Sequence, residues 1–206
     1  MSTAGLLLAA GAGRRLGGPK ALVELDGELL VHRGVRLLAD GGCDPVVVVV
    51  GAAADQVRPL CGGAQVVEAT DWDTGMGASL RAGLAHLAGL PNVSACVVAL
   101  VDQPLVTAEA VIRLLSTATG IDAPAVVASY DGRARNPVLL QRSTWPGVSL
   151  AAVGDQGARG WLHEHPELVV AVDCTDVGAP ADVDTPADLA ALRRCRPPAP
   201  ATLESR

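Results

Sequence analysis

Five consecutive valines, Val46 to Val50, follow Pro45 with no polar residue among them. Successive side chains of a strand point to opposite faces, so a run of this kind has no face to offer water. A strand buried on both sides belongs in a parallel sheet covered by helices. The rest of the chain repeats the signal. Strand-length apolar runs at 5–10, 64–68, 94–101, 125–129, 138–140 and 168–172 are interleaved with helical patterns at 29–39, 78–90, 107–117 and 185–194. Thr107 stands as a candidate N-cap of the third helix. Alternation of this sort predicts an α/β fold with a mostly parallel central sheet flanked by helices. No internal repeat or linker interrupts the chain before its end, so one domain is expected over residues 1–196. The Pro-rich tail, residues 197–206, is expected to be disordered.

Composition then removes several function classes. Half of the 206 residues are apolar and 18 % are charged, which excludes an intrinsically disordered chain. Three Trp, one Tyr and no Phe leave no platform for stacking single-stranded bases. Sixteen basic residues against 22 acidic ones give a net charge of −6, so no nucleic acid and no anionic membrane is expected as a partner. The uncharged stretch 82–101 is broken by His86, Gly89, Pro91, Asn92 and Ser94 and reads as helix, turn and strand. Arg14 and Arg15 follow the N-terminal apolar run, whereas a secretory signal carries its positive charge first. Five dispersed cysteines (Cys43, Cys61, Cys96, Cys174, Cys195) fit reduced thiols in a cytoplasmic protein.

Ligands of open parallel sheets bind beyond the carboxyl ends of the strands, so the residues after each run carry the chemistry. The first such segment is Gly11-Ala12-Gly13-Arg14-Arg15-Leu16-Gly17-Gly18-Pro19-Lys20. Its glycines let backbone amides approach an anion, and its cations add fixed charge. Leu16 occupies the place where a dinucleotide-binding G-x-G-x-x-G needs glycine, and Pro19 and Ala21 around Lys20 break the Walker pattern. Lys20 is the only lysine beside fifteen arginines, which points to a need for a compact ammonium there.

Three further segments end strands or open helices. Asp102-Gln103-Pro104 puts a carboxylate at a strand end, suited to Mg²⁺, although an Asp there also serves as turn former or cap. Trp72-Asp73-Thr74-Gly75-Met76-Gly77-Ala78-Ser79 is a second glycine loop leading into a helix, where free amides suit a nucleotide. In Asp182-Val183-Asp184-Thr185-Pro186-Ala187-Asp188, helix capping accounts for Thr185, Pro186 and Asp188 but not for Asp182 and Asp184. Both carboxylates would point the same way in an extended D-x-D. His163-Glu164-His165 reads as a solvated helix end, because residues two apart diverge on a helix and Pro166 follows.

Taken in order, these segments resemble the signature of nucleotidyltransferases of the molybdenum-cofactor (molybdopterin nucleotidyltransferase-like) family. Leu8-Ala9-Ala10-Gly11-x-Gly13-x-Arg15-x-Gly17-x-Pro19-Lys20 is similar to its first motif, and Gly75-Met76-Gly77-x-Ser79 to its second. Asn136-Pro137-Val138-Leu139 and Gly154-Asp155-Gln156-Gly157-Ala158-Arg159 are similar to its acceptor-side segments, with Asn136 and Arg135 standing where His and Gly are common. The resemblance implies a Rossmann-like nucleotidyltransferase fold and Mg²⁺-dependent transfer of a nucleotide monophosphate to molybdopterin. It implies catalytic roles for Arg15, Lys20 and Asp102. Nucleotide binding would fall to Leu8, Ala9, Ala10, Gly11, Gly13, Arg14, Arg15, Lys20, Gly77 and Ser79. Metal binding would fall to Asp102 with Asp182 or Asp184, Asp182 slightly favoured, and acceptor binding to Asn136, Pro137, Asp155 and Arg159. Leu-Ala-Ala-Gly, in place of the Leu-Ala-Gly-Gly of guanylyl-transferring relatives, points to CTP as the substrate. A molybdoenzyme or its chaperone is the implied protein partner. Three rivals stand beside this expectation: transfer to another small acceptor such as a sugar phosphate, an NAD(P)H-dependent reductase of the nicotine-blue type on the same fold, with or without flavin, and a non-catalytic binding protein.

Overall fold

In the computed structural model, which describes residues 1–194, the valine run forms β4 (Val46–Val50). Val47 to Val50 have no exposed surface. Val48 and Val50 join one apolar cluster and Val47 and Val49 the other, so the run feeds cores on both faces of the sheet, as its composition requires. The Pro-rich segment 197–206 and Cys195 lie outside the described residues.

The chain begins with β1 (Ser2–Leu8) and crosses a small hairpin of β2 (Glu24–Leu25) and β3 (Glu28–Leu29) into α1 (Leu30–Asp40). After β4 come α2 (Ala54–Val57), β5 (Gln65–Glu68), α3 (Met76–Ala88), β6 (Val93–Leu100) and α4 (Ala108–Ile121). The second half contains β7 (Ala125–Tyr130), β8 (Arg133–Gln141), α5 (Trp145–Ala151), α6 (Arg159–Glu164), β9 (Val169–Asp173) and α7 (Pro186–Arg194). The seven-stranded sheet has the order β5-β4-β1-β6-β8-β7-β9. β1 lies between β4 and β6 and pairs with both in parallel, while β8 runs antiparallel to β6 and β7. The sheet is therefore mostly parallel and covered by helices, as expected. Helices α1 and α4 pack on one face, and α3, α5 and α6 on the other.

A core this poor in aromatics fills its space by close approach. A Cβ on Gly34 of α1 would fall 2.6 Å from Leu7, and one on Gly83 of α3 would fall 2.5 Å from Leu6. Both helices thus rest directly on β1. The hairpin of β2 and β3 and the helices α2 and α5 are not among the expected elements, and α6 is expected only through its solvated end at His163. The strand expected at 138–140 is nine residues long, because Asp131 and Gly132 take positive φ (50° and 73°) and turn β7 straight back into β8. Thr107 caps α4 as expected, its hydroxyl accepting from the Ala110 N–H at 3.4 Å. Among the described residues no helix is long and apolar enough to cross a membrane. Cys43, Cys61, Cys96 and Cys174 are buried and free, and burial pushes the Cys43 thiol up to about 12, which leaves it inert.

Candidate active site

Three segments converge beyond the carboxyl ends of β1 and β6. The first folds back on itself. Gly13 has φ +56°, a Cβ there would stand 1.9 Å from the Gly18 carbonyl oxygen, and its own carbonyl accepts from the N–H groups of Leu16 (2.8 Å) and Gly18 (3.3 Å). The N–H of Lys20 donates to the Gly11 carbonyl at 3.3 Å and closes the loop. Glycine is required at position 13 because no side chain fits between the two limbs.

Closure of that loop delivers Lys20 to the second and third segments. Its Nζ donates to Asp102 Oδ2 and to Asp184 Oδ1, each at 2.5 Å. Lys20 and Asp102 are each 17 % exposed and Asp184 34 %. Arg15 adds a contact to Asp184 Oδ2 at 3.0 Å. Burial opposes the charge on Lys20, but Asp102 and Asp184 outweigh it and raise the ammonium above its ordinary range. Burial raises the Asp102 carboxyl despite the neighbouring ammonium, and Asp182 adds to the rise. Asp184 is lowered, first by its hydrogen bond from Lys20. Capping supplies the geometry behind it: Asp188 Oδ2 accepts from the N–H groups of Asp184 and Thr185, and Thr185 Oγ1 accepts from the Asp188 N–H. Val183, fully buried, donates its N–H to the Asp102 carbonyl at 2.8 Å.

Asp182 and Asp184 do not share a partner. Their segment is not a strand, and the carboxylates expected to point the same way are held apart: Asp184 by Lys20 and Arg15, Asp182 by Gln103, whose Nε2 donates to its Oδ1 at 2.8 Å.

Two cavities meet at this cluster. One, of about 370 Å³, is lined by Leu8, Ala10, Gly11, Gly13, Arg14 and Ser79 among the expected nucleotide residues. The other, of about 860 Å³, is lined by Asn136, Arg159 and Asp182. Arg15, Lys20, Asp102, Asp155 and Asp184 border both. Three expected residues line neither. Ala9 is fully buried in the core, Gly77 packs beneath the backbone of Ala152, where a Cβ would meet the carbonyl oxygen at 2.5 Å, and Pro137 forms a cis peptide with Asn136. In the second loop α3 starts at Met76 with no side-chain cap of its own, and the Met76 N–H donates across the site to Asp155 Oδ1 at 3.3 Å. Ser79 is 4 % exposed. His163 lines the larger cavity, and among the described residues no group of three or more His, Cys, Asp or Glu is arranged to hold a metal. Sequence reasoning gives no role to Gln103 or His163. The position of Gln103 between an Asp and a Pro is the available signal for the first, and nothing local marks the second.

A mostly parallel sheet covered by helices, with a charged cluster at its carboxyl edge, defines a Rossmann-like α/β protein. The chain belongs to the MobA-like NTP transferase domain family, whose model matches residues 5–169. It is 40 % identical over 189 residues to "Nicotine blue oxidoreductase" of Paenarthrobacter nicotinovorans, covering 88 % of this chain and 91 % of that protein. It is 32 % identical over 194 residues to "Molybdenum cofactor guanylyltransferase" of Rhodobacter capsulatus, covering 92 % and 94 %. Among solved structures, the manganese complex of Rv0371c from Mycobacterium tuberculosis H37Rv superposes with a TM-score of 0.77 at 27 % identity, over 95 % of this chain and 100 % of that one.

Proposed function

We propose that the chain transfers CMP from CTP to the terminal phosphate of molybdopterin and releases pyrophosphate. The observation that carries this reading is the Lys20 ammonium held by Asp102 and Asp184 where the two cavities join. A donor in one cavity and an acceptor in the other would meet at that point. An oxygen of the acceptor phosphate bonds to the α-phosphorus as the bond from that phosphorus to pyrophosphate breaks, its electron pair leaving with the pyrophosphate. Side chains make no covalent bond in such a step, so the protein acts by positioning and charge neutralisation. The loop 11–20 wraps the triphosphate, and Arg15 and Lys20, with Arg14 beside them, offset the charge that develops on the leaving group.

Asp102 and Asp184 already converge on one cation, and they offer the hard oxygen donors that Mg²⁺ takes, commonly one or two carboxylates with phosphate oxygens completing the shell. The pair fits the ion, and Asp184 replaces Asp182 as the favoured second ligand. When bound, Mg²⁺ supplies charge neutralisation and orientation of the phosphates. The superposing Rv0371c structure is a complex with manganese, which supports divalent-metal use. For the base, the choice of CTP rests on Ala10, which lines the smaller cavity at the place where the guanylyl-transferring pattern Leu-Ala-Gly-Gly has glycine. Asn136, Asp155 and Arg159 stand at the acceptor side, and a molybdoenzyme or its chaperone would receive the product.

A second reading, reduction of a heterocyclic dye by NAD(P)H, rests on the name of the 40 % identical relative. Hydride transfer has no use for a cation bridging two carboxylates, which favours the first. Thermal stabilisation by CTP, GTP, NADPH and FMN, each with and without Mg²⁺, separates them. A ligand at a hundred times its Kd adds about 2.7 kcal/mol. A Mg²⁺-dependent shift with CTP is expected; a shift with GTP alone would change the nucleotide, and a shift with NADPH or FMN and no NTP would overturn the transferase reading.

A further inference from the structure

Gln103 is 6 % exposed, and its amide is used in an unusual way. Nε2 donates to Asp182 Oδ1, while Oε1 is buried with no hydrogen-bond partner. An orphaned buried carbonyl is a burden on stability that an apolar side chain of the same size would not impose. Gln103 is also not needed to hold the backbone of its neighbour. Val183 is anchored by burial and by its N–H bond to Asp102, and the following turn is fixed by Asp188. What the Gln103 amide alone determines is the direction of the Asp182 carboxylate.

That carboxylate borders the larger cavity and not the smaller one, whereas Asp184 borders both. The geometry points to a division of the acidic pair: Asp184 serves the nucleotide, and Asp182, oriented by Gln103, receives a hydrogen bond from an N–H or O–H group of the acceptor. Gln103 is a positioning residue and Asp182 a specificity residue. The acceptor they fit carries a hydrogen-bond donor close to its attacking group, with Arg135 and Arg159 on the same cavity wall to take its negative charge. The inference rests on the transferase reading and deepens it.

The test compares Gln103→Met, Asp182→Ala and the double variant, with molybdopterin as the acceptor probe. Gln103→Met keeps the volume, removes the orphaned carbonyl, and is expected to melt no lower than the wild type. The acceptor KM should rise about tenfold or more in each single variant, thermal stabilisation by the acceptor should fall in parallel, and stabilisation by CTP with Mg²⁺ should stay at the wild-type value. The double variant should be no worse than Asp182→Ala, since one residue acts through the other. An unchanged acceptor KM in Gln103→Met, additive effects, or an equal loss of the CTP shift would each overturn the assignment. Absence of any NTP shift in the wild type would remove the transferase reading itself, and this inference with it.

Discussion

Replacing Lys20 by Met removes the one cation shared by Asp102 and Asp184 and leaves two carboxylates facing each other, with Asp182 nearby. Two charge-assisted hydrogen bonds of 2.5 Å are lost together. Removing one partner of a fully buried pair costs about 3–5 kcal/mol. Here Asp102 is 17 % exposed and Asp184 34 %, so solvent screening reduces the cost to about 2–3 kcal/mol at neutral pH. For a chain of this length that is a melting temperature lower by about 5–10 °C. The pH dependence follows from the two acids. Asp102 has a raised pKa when folded, so the folded state gains stability as pH falls through it; without Lys20 that pKa rises further and the gain begins at higher pH. Asp184 has a lowered pKa in the wild type, so its contribution is present above the ordinary carboxylate range and is lost as pH falls through the folded value. Both effects narrow the gap between variant and wild type on acidification. At the alkaline end, the raised pKa of Lys20 keeps its contribution whole up to 10.5, and the gap closes only above that. Thermal melts of both proteins between pH 4 and pH 11 check the full curve. A gap that does not change with pH, or a variant more stable than the wild type at pH 7, would refute the reasoning.

Other perturbations have equally definite outcomes. Asp102→Ala should abolish metal-dependent turnover while far-ultraviolet circular dichroism stays native; retained turnover would remove Asp102 from the chemistry. In Gly13→Ala the new methyl would adopt a conformation costing about 1–2 kcal/mol and would collide with the Gly18 carbonyl, so the loop should open and affinity for CTP fall at least tenfold by calorimetry, with the fold retained. Gly77→Ala forces a methyl against the backbone of Ala152 and Val153 and should cost about 1–3 kcal/mol in denaturant unfolding. Gly120→Ala, exposed on α4 with nothing within 4 Å of the new methyl, should instead stabilise by about 0.5–1 kcal/mol.

The sheet was legible because most of its strands are β-branched apolar runs of strand length bounded by turn residues, and Val46 to Val50, apolar on both faces, implies helices on both sides. The first loop was legible for a similar reason: glycines and a lone lysine after a strand have little purely structural use. What escaped was set by distant contacts. Whether Asp182 or Asp184 turns toward Lys20 depends on Gln103 and Arg15, roughly 80 and 170 residues away in sequence. Ala9 and Gly77 carry the family pattern but pack inside the core and against a backbone, so neither lines a cavity, which the motif by itself does not reveal. The Asp131-Gly132 turn was present in the sequence as a hairpin signal and would have extended β8 to its full length.

The reversal of β8 has a consequence for how such a protein diversifies. Every parallel strand presents its last residues at the working edge, but β8 presents its first, so Arg135 and Asn136 reach the larger cavity from the rising limb of a hairpin. The tip of that hairpin, Asp131 and Gly132, is exposed and carries no core residue. Insertions or deletions there would reshape the rim of one cavity while leaving the sheet register and the Lys20 cluster untouched. One backward strand thus separates the part of the molecule that is free to drift from the part that must stay fixed.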